Sequence, residues 1–333
     1  MIRIKLSTDP FPWPLFRQTP GRSGRWGDCV FHHNEPIEEC DAWVVFGDVI
    51  RRPETTRCPR ANTIFITPEP ASVQRYPGPY LAQFAAVLGC QPDIPHPNVI
   101  RGQPVLPWHI GVRRPADGAT ECVFGYDDFK QNPPPEKTKL ISVIMSDKVN
   151  TEGHLRRRQF IERLKGHFGE RLDVFPAIRG RVLDKWASIA PYRFHVAIEN
   201  SNSDDYWSEK LSDALLGWAH PLYNGAPNIG DYFPRGSLTV IDVARPEEAV
   251  AAIDRAVAAN ADRTAPAEFA EARRLVLDRH NLFPRLAELV STLPGGPRET
   301  VRVRALESFT HPVKRLLRPM VRYVRSRLRS RPT

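Results

Sequence analysis

From residue 139 onward the chain alternates short apolar runs with amphipathic stretches of helical length, and this alternation restricts the fold more than any other feature. Leu140 to Met145 is a continuous apolar run, and from about Gly153 to Phe168 the residues Leu155, Phe160, Ile161, Leu164 and Phe168 gather on one side of a helix. Phe194 to Ile198 reads as a second buried strand. A helix from Tyr206 to Trp218 follows, with Trp207, Leu211, Leu215 and Trp218 at steps of four, four and three. Pro221 to Tyr223 and Leu238 to Val243 are strand-like, and helices are expected around Glu247 to Asn260 and Ala265 to Leu275. Strands alternating with helices imply a parallel sheet covered on both faces. The second half is therefore expected to be a Rossmann-like α/β domain.

The first third reads differently. It is rich in proline, with short apolar runs at Ile2 to Leu6, Ala42 to Phe46 and Thr63 to Ile66 that read as strands bounded by Asp, Gly or Pro. Tyr80 to Leu88 is expected to be a short helix and Asn98 to Trp108 to be extended. Asp127 to Lys139 is polar and carries Pro133, Pro134 and Pro135 in a row, which marks a linker and places a domain boundary near residue 135.

Charge separates the body from the tail. The 333 residues hold 47 Lys+Arg and 38 Asp+Glu, a formal net charge of +9. Residues 301 to 333 contain ten of the bases and one acid, Glu307, so residues 1 to 300 balance at 37 of each sign. An enzyme that tracks nucleic-acid phosphates spreads cations through its folded body. This body is neutral, which argues against a nucleic-acid partner. No apolar run approaches the roughly 20 residues needed to span a bilayer, and the start, Met1-Ile2-Arg3-Ile4-Lys5-Leu6, lacks the apolar core of a signal peptide. A cytoplasmic location is expected. The five cysteines, Cys29, Cys40, Cys58, Cys90 and Cys122, have no Cys-x-x-Cys pair and are expected to be reduced, mostly packed thiols.

The densest polar cluster runs from Phe194 to Gly225, where a buried strand empties into a polar loop and then a helix. In an open parallel sheet, ligands bind outside the carboxyl ends of the strands, where helix starts offer free amides and partial positive charge. Lys210 there can neutralise a phosphate, and Glu209 can accept hydrogen bonds from sugar or ribose hydroxyls. On spacing alone the other reading stays open: Asp205 caps the helix, and Glu209 and Lys210 are solvated surface. The chain lacks Gly-x-Gly-x-x-Gly, Gly-x4-Gly-Lys-Ser/Thr and Asp-x-Asp, so neither the common phosphate loops nor the usual metal clamp is supported.

This cluster resembles the signature of the alpha-1,3-fucosyltransferases, glycosyltransferase family 10, of bacterial type. The matching pieces are Glu199-Asn200-Ser201, then Asp205-Tyr206-Trp207-Ser208-Glu209-Lys210, then Ala214 and Pro221-Leu222-Tyr223-Asn224-Gly225; Tyr232-Phe233-Pro234, Ser237-Leu238 and Asp242 follow the family's order. Departures are Ile198 for the usual Phe, Ser208 for Thr and Asp213 for Asn. The resemblance implies a GT-B architecture, two Rossmann-like domains facing across a cleft. Its expected parts are an acceptor-side domain over 1–135, a nucleotide-sugar domain over 136–295 and a basic tail over 296–333. It further implies an inverting transfer of L-fucose from GDP-beta-L-fucose to a hydroxyl of a saccharide acceptor, with an alpha-1,3 or alpha-1,4 linkage on lipopolysaccharide or a related glycan, and no required metal. Expected donor-binding residues are Arg157, Glu199, Asn200, Ser201, Tyr206, Ser208, Glu209 and Lys210. Arg157 takes its role from Arg157-Arg158-Gln159-Phe160, with Arg156 and Arg158 as alternatives in register. The expected catalytic residues are Glu209 and the base Glu69, set between Pro68 and Pro70. Alternatives are another nucleoside-diphosphate sugar or a non-catalytic relative.

Weaker candidates are His32, His33 and His109 as acceptor contacts and Trp26, Trp43 and Trp108 as saccharide platforms; packing is the better reading for Trp43. His195 is expected to be buried and hydrogen-bonded. In the tail, Val313, Leu316, Leu317, Met320, Val321, Val324 and Leu328 form one helical face with Arg315, Arg318, Arg322, Arg325 and Arg329 largely elsewhere, interrupted by Pro319. Such a face from Val313 to Arg329 fits the inner-membrane surface. Bacterial proteins resembling the family often end this way, which implies a peripheral position on the cytoplasmic face. A helix docked on the protein itself and a disordered tail binding nucleic acid are the other readings.

Overall fold

The computed structural model describes residues 1–8, 14–113, 115, 120–146, 152–177 and 184–309. Two mixed α/β halves carry mainly parallel sheets. The N-terminal sheet is built from β1 (Ile2–Ser7), β2 (Arg25–Trp26), β3 (Cys29–His33), β4 (Ala42–Phe46), β6 (Thr63–Ile66), β7 (Ala86–Gly89) and β8 (Val99–Arg101), while β5 (Glu54–Cys58) lies outside it. Its order is β2-β3-β1-β4-β6-β7-β8, and every neighbouring pair is parallel except β2 with β3. A small hairpin, β9 (Val112–Arg113) and β10 (Glu121–Cys122), leads out of this half.

The C-terminal sheet holds β11 (Lys139–Ser146), β12 (Leu172–Ala177), β13 (Tyr192–Ile198), β14 (His220–Asn224) and β15 (Thr239–Val240), all parallel, in the order β12-β11-β13-β14-β15. The order reverses between β11 and β13. At such a switch point the connections leave in opposite directions and open a crevice at the strand ends. Pro176 is tolerated in β12 because β12 is an edge strand, where a missing amide donor breaks no internal ladder.

Helices cover the sheets as the apolar spacing requires. They run in chain order as α1 (Gly78–Leu81), α2 (Tyr126–Gln131), α3 (Glu152–Phe168), α4 (Lys185–Ile189), α5 (Glu209–Leu216), α6 (Pro246–Ala258), α7 (Ala261–Thr264), α8 (Pro266–Asp278) and α9 (Leu282–Ser291). On one face of the C-terminal sheet, Phe160, Ile161 and Leu164 of α3 and Ile253 of α6 pack with Ile141, Val143 and Val196. On the other, Leu211 and Leu215 of α5 and Val276 of α8 form a core with Ala197 and Tyr223 that continues into Trp108, Ile110 and Phe129. That core therefore bridges the halves.

Several expectations change. The stretch Tyr80 to Leu88 is not one helix: α1 ends at Leu81 and β7 begins at Ala86, because Ala86, Val87 and Leu88 are buried beside β6. The polar stretch after Asp127 contains α2 before it becomes extended. The helix expected from Tyr206 starts at Glu209 and ends at Leu216. The chain also returns to the first half: Leu282, Phe283, Leu286 and Leu289 of α9 pack on Ile4, Leu6 and Ile64, and β16 (Glu299–Val303) pairs antiparallel with β5. Residues 282–309 thus pack on the first half of the chain, on both sides of the boundary expected between 295 and 296. The basic stretch from Val313 to Arg329 lies outside the described residues. Among the described residues no helix is long and apolar enough to cross a membrane. All five cysteines are free, four of them buried.

Candidate active site

A cleft of about 360 Å³ opens at the switch point. Val143 and Ile144 of β11, Val196 to Ile198 of β13 and Ala177 at the end of β12 form its floor, and Leu106, Pro107, His109 and Glu69 close it from the first half. Arg157, Asn200, Tyr206, Glu209, Lys210, Lys185 and Asp213 supply most of the remaining wall.

The loop after β13 is fixed by its own polar residues. Asp205 adopts a left-handed backbone, φ 64°, a conformation that short polar side chains tolerate. Asn228 holds it from both sides: the Asp205 amide donates to Asn228 Oδ1 at 2.8 Å, and Asn228 Nδ2 donates to Asp205 Oδ1 at 2.9 Å. Ser208 caps the start of α5: its Oγ accepts from the Lys210 amide at 3.4 Å, the usual way of satisfying a free amide at a helix start.

Beneath this turn lies Glu199, 4% exposed. Its Oε1 accepts from the Ser208 amide and its Oε2 from Ser208 Oγ, both at 2.7 Å, and Lys210 Nζ stands 3.3 Å from Oε2. Lys210 Nζ also donates to Ser208 Oγ at 2.9 Å and to Glu209 Oε1 at 3.2 Å. Burial raises the Glu199 carboxyl, opposed mainly by Lys210. For Lys210 burial works against the charge, yet Glu199 and Glu209 outweigh it and hold the ammonium above its ordinary range. Burial would likewise raise Glu209, but Lys210, His109 and Lys185 hold it below the usual carboxylate range. Lys210 and Glu209 are thus both charged and both face the cleft.

Arg157 projects from α3 into the same space. It is 7% exposed while Arg156 and Arg158 are exposed, and its Nη1 donates to Asn200 Oδ1 at 3.3 Å. Burial lowers its pKa, with Glu199 and Glu209 opposing. Glu69 follows β6, is half-buried, and its carbonyl accepts from Gln91 Nε2 at 2.8 Å.

Of the residues singled out from sequence, Glu69, Arg157, Asn200, Tyr206, Glu209 and Lys210 meet at the cleft, but Glu199, Ser201 and Ser208 do not line it. Glu199 and Ser208 are buried and occupied with Lys210 and the start of α5, so they position the cation and do not reach into the cleft. Trp43 and Trp108 are core residues with 0% and 1% exposure, which removes them as saccharide platforms. Trp26 packs edge-on against Tyr126. His33 pairs with Thr8 and His32 with Glu35, both away from the cleft. His195 lines the cleft floor but is buried, bonded through Nδ1 to Ser142 Oγ at 2.8 Å, and burial pushes it down to about 3.

Sequence reasoning missed an interlock. Asp213, 1% exposed, accepts the His109 and Ile110 amides on Oδ1, each at 2.9 Å, and Lys185 Nζ on Oδ2 at 2.7 Å. One carboxylate thereby ties α5 to α4 and to the Leu106–Ile110 connection of the first half. Asp213 lies four residues after Glu209, on the same helix face, which is the signal that could have found it. Lys185 sits in no motif and gave none. Gly225, by contrast, has a visible cause: a Cβ there would stand 2.1 Å from Tyr223 Oη and 2.7 Å from Glu199 Cγ. Among the described residues no group of three or more His, Cys, Asp and Glu side chains is placed to hold a metal ion.

The family match falls in the C-terminal half. Residues 134–263 match the family model for glycosyltransferase family 10 (fucosyltransferase) C-term. The dog GDP-fucose protein O-fucosyltransferase 3 is 31% identical over 121 residues, covering 35% of this chain and 23% of that protein. Its human counterpart is 29% identical over 128 residues, covering 37% and 25%. The chain therefore spans about a quarter of the length of these curated relatives. Two crystal structures of alpha1,3-fucosyltransferase also overlap it, one with GDP at a TM-score of 0.43, 16% identity and 82% and 81% coverage of the two chains. The other, with GDP-fucose, has a TM-score of 0.42, 16% identity and 95% and 90% coverage. Residues 134–263 are thus similar to the C-terminal part of the glycosyltransferase family 10 fucosyltransferases.

Proposed function

We propose that the protein transfers L-fucose from GDP-beta-L-fucose to a hydroxyl of a saccharide acceptor with inversion, in a GT-B arrangement whose donor half is the C-terminal sheet. The observation that carries this reading is the convergence of Arg157, Lys210 and Glu209 from one half with Glu69 from the other on a single cleft at the switch point. The cations suit a diphosphate: charge-assisted hydrogen bonds to developing anionic oxygens stabilise a departing group more than they stabilise the bound ground state. Glu69 takes the proton from the acceptor hydroxyl as its oxygen bonds to the anomeric carbon. The bond from that carbon to the GDP oxygen breaks, and GDP leaves with the electron pair towards Arg157 and Lys210. Glu209, held anionic, favours positive charge building on the sugar. Positioned base catalysis is typically worth about 10² to 10⁴ in rate.

The reading extends to a metal-independent transfer, an acceptor side near residues 1–135 and a donor side over roughly 136–280. It also includes a basic tail from Val313 to Arg329 that holds the protein on the cytoplasmic face of the inner membrane, with an alpha-1,3 or alpha-1,4 linkage on a surface glycan. Its support for the tail is the apolar face set against five arginines. Glu69→Gln tests the core of the proposal: transfer should fall by at least a hundredfold while GDP affinity stays within about twofold. An active Glu69→Gln enzyme would remove Glu69 from the base role.

A further inference from the structure

A second cavity, about 150 Å³, lies where the Arg101–Val105 connection of the first half meets Tyr232 of the second and the crossing segment between α8 and α9. Arg101, Arg279, Arg285 and His280 line it with one carboxylate, Glu288, which accepts from Arg285 Nη1 at 2.6 Å. The Arg101 guanidinium donates to the carbonyls of Gln91 and Pro92, contacts that hold it in place without cancelling its charge. The His280 ring is packed edge-on between Trp207 and Tyr232, and its Nε2 is buried with no hydrogen-bond partner among the described residues. Burial first, then the charges of Arg279 and Arg285, push His280 down to about 4, so the ring is neutral at physiological pH. With the ring neutral and bonded to the Tyr232 backbone, the unpaired Nε2 is an acceptor that water can satisfy, and the cavity beside it has room for several waters or one small oxyanion held by the arginines.

Its place matters as much as its charge. Gln91 connects it to the candidate base, because the Gln91 carbonyl accepts from Arg101 while its Nε2 donates to the Glu69 carbonyl at 2.8 Å. None of its arginines lines the donor cleft, so they are not spent on the donor's diphosphate. Guanidinium groups fit carboxylate and phosphate oxygens through paired N–H donors. We propose that this cavity is an anion subsite for the acceptor, in which Arg101, Arg279 and Arg285 hold a carboxylate or phosphate carried by the saccharide beside the loop of Glu69. The proposal rests on the transferase reading above and adds to it that the acceptor is acidic.

Inorganic phosphate and glucuronate serve as probes, each titrated into full-length protein saturated with GDP at constant ionic strength, with binding followed by the rise in melting temperature. Wild type should respond to at least one probe, and which one identifies the acidic group. Arg279→Glu, a change at an exposed side chain, should weaken that response at least tenfold and leave GDP affinity within twofold. Arg285→Gln should act in the same direction with a smaller loss. No response in wild type, or an unchanged response in both variants, overturns the subsite. A wild type that fails to bind GDP would overturn the donor reading instead, and the two failures are read from separate titrations.

Discussion

On the C-terminal side of the cleft, Asn200, Tyr206, Glu209 and Lys210 come from one short segment between the end of β13 and the first turn of α5. On the N-terminal side, Glu69 and His109 come from irregular connections forty residues apart. The first wall is rigid because a buried strand, a capped helix and the Glu199–Ser208–Lys210 network fix it locally. The second is held from outside, through Gln91 at Glu69 and through Asp213 at the 106–110 connection. The difference teaches that charge placement belongs to the C-terminal wall, whereas closure of the cleft depends on contacts made across the halves.

The largest expected effect strikes that C-terminal wall. Lys210→Ala removes the cation proposed to meet the phosphates and leaves the buried Glu199 and the part-buried Glu209 without their shared partner, and breaking a buried pair costs about 3–5 kcal/mol. Thermal unfolding should show a large loss of stability together with lost GDP binding; a fully stable variant that still binds GDP would place the phosphates elsewhere.

Next comes the interlock. Asp213→Ala leaves two amides and Lys185 unpartnered, at about 1–3 kcal/mol for each buried group, and should speed hydrogen exchange at His109 and Ile110. Asp213→Asn keeps an acceptor for the amides and should restore slow exchange while losing the charge pair with Lys185. Equal exchange in both variants would mean that the connection is held by something other than Asp213.

A smaller effect distinguishes the floor from both walls. His195 has its pKa lowered to about 3 in the folded state, against an unfolded value near 6.5. Between those values the unfolded chain binds the extra proton, so stability is fully present above about pH 6.5 and is lost as pH falls. Between pH 6.5 and 4 this one group accounts for on the order of 3 kcal/mol. Denaturant titrations across that range should be shallower for His195→Gln than for wild type. Identical slopes would mean that His195 does not control the acid limb.

How far the sequence could be read follows the same division. The β11 to β15 alternation arises from local periodicity, which a sequence displays; the run of Glu199 to Lys210 is legible through its resemblance to a family signature, and the choice of Arg157 over Arg156 and Arg158 is made by burial in the fold. The interlock does not arise from local periodicity, since Lys185 and the 106–110 amides meet Asp213 only through tertiary packing. The apolar stripe Leu282, Phe283, Leu286 and Leu289 is periodic, but its partner sheet lies more than two hundred residues earlier. Glu299–Val303 finds β5 across a similar distance, and its alternation alone could not say which strand it would join.

The central claim is that the cleft at the β11/β13 switch point holds the donor diphosphate. Calorimetric titration of GDP into wild type and Arg157→Met tests it directly, because Arg157 reaches the cleft without taking part in the Glu199–Ser208–Lys210 network. Loss of a charge-assisted contact of about 1.5–3 kcal/mol predicts an affinity at least tenfold weaker in the variant. Unchanged affinity would contradict the account.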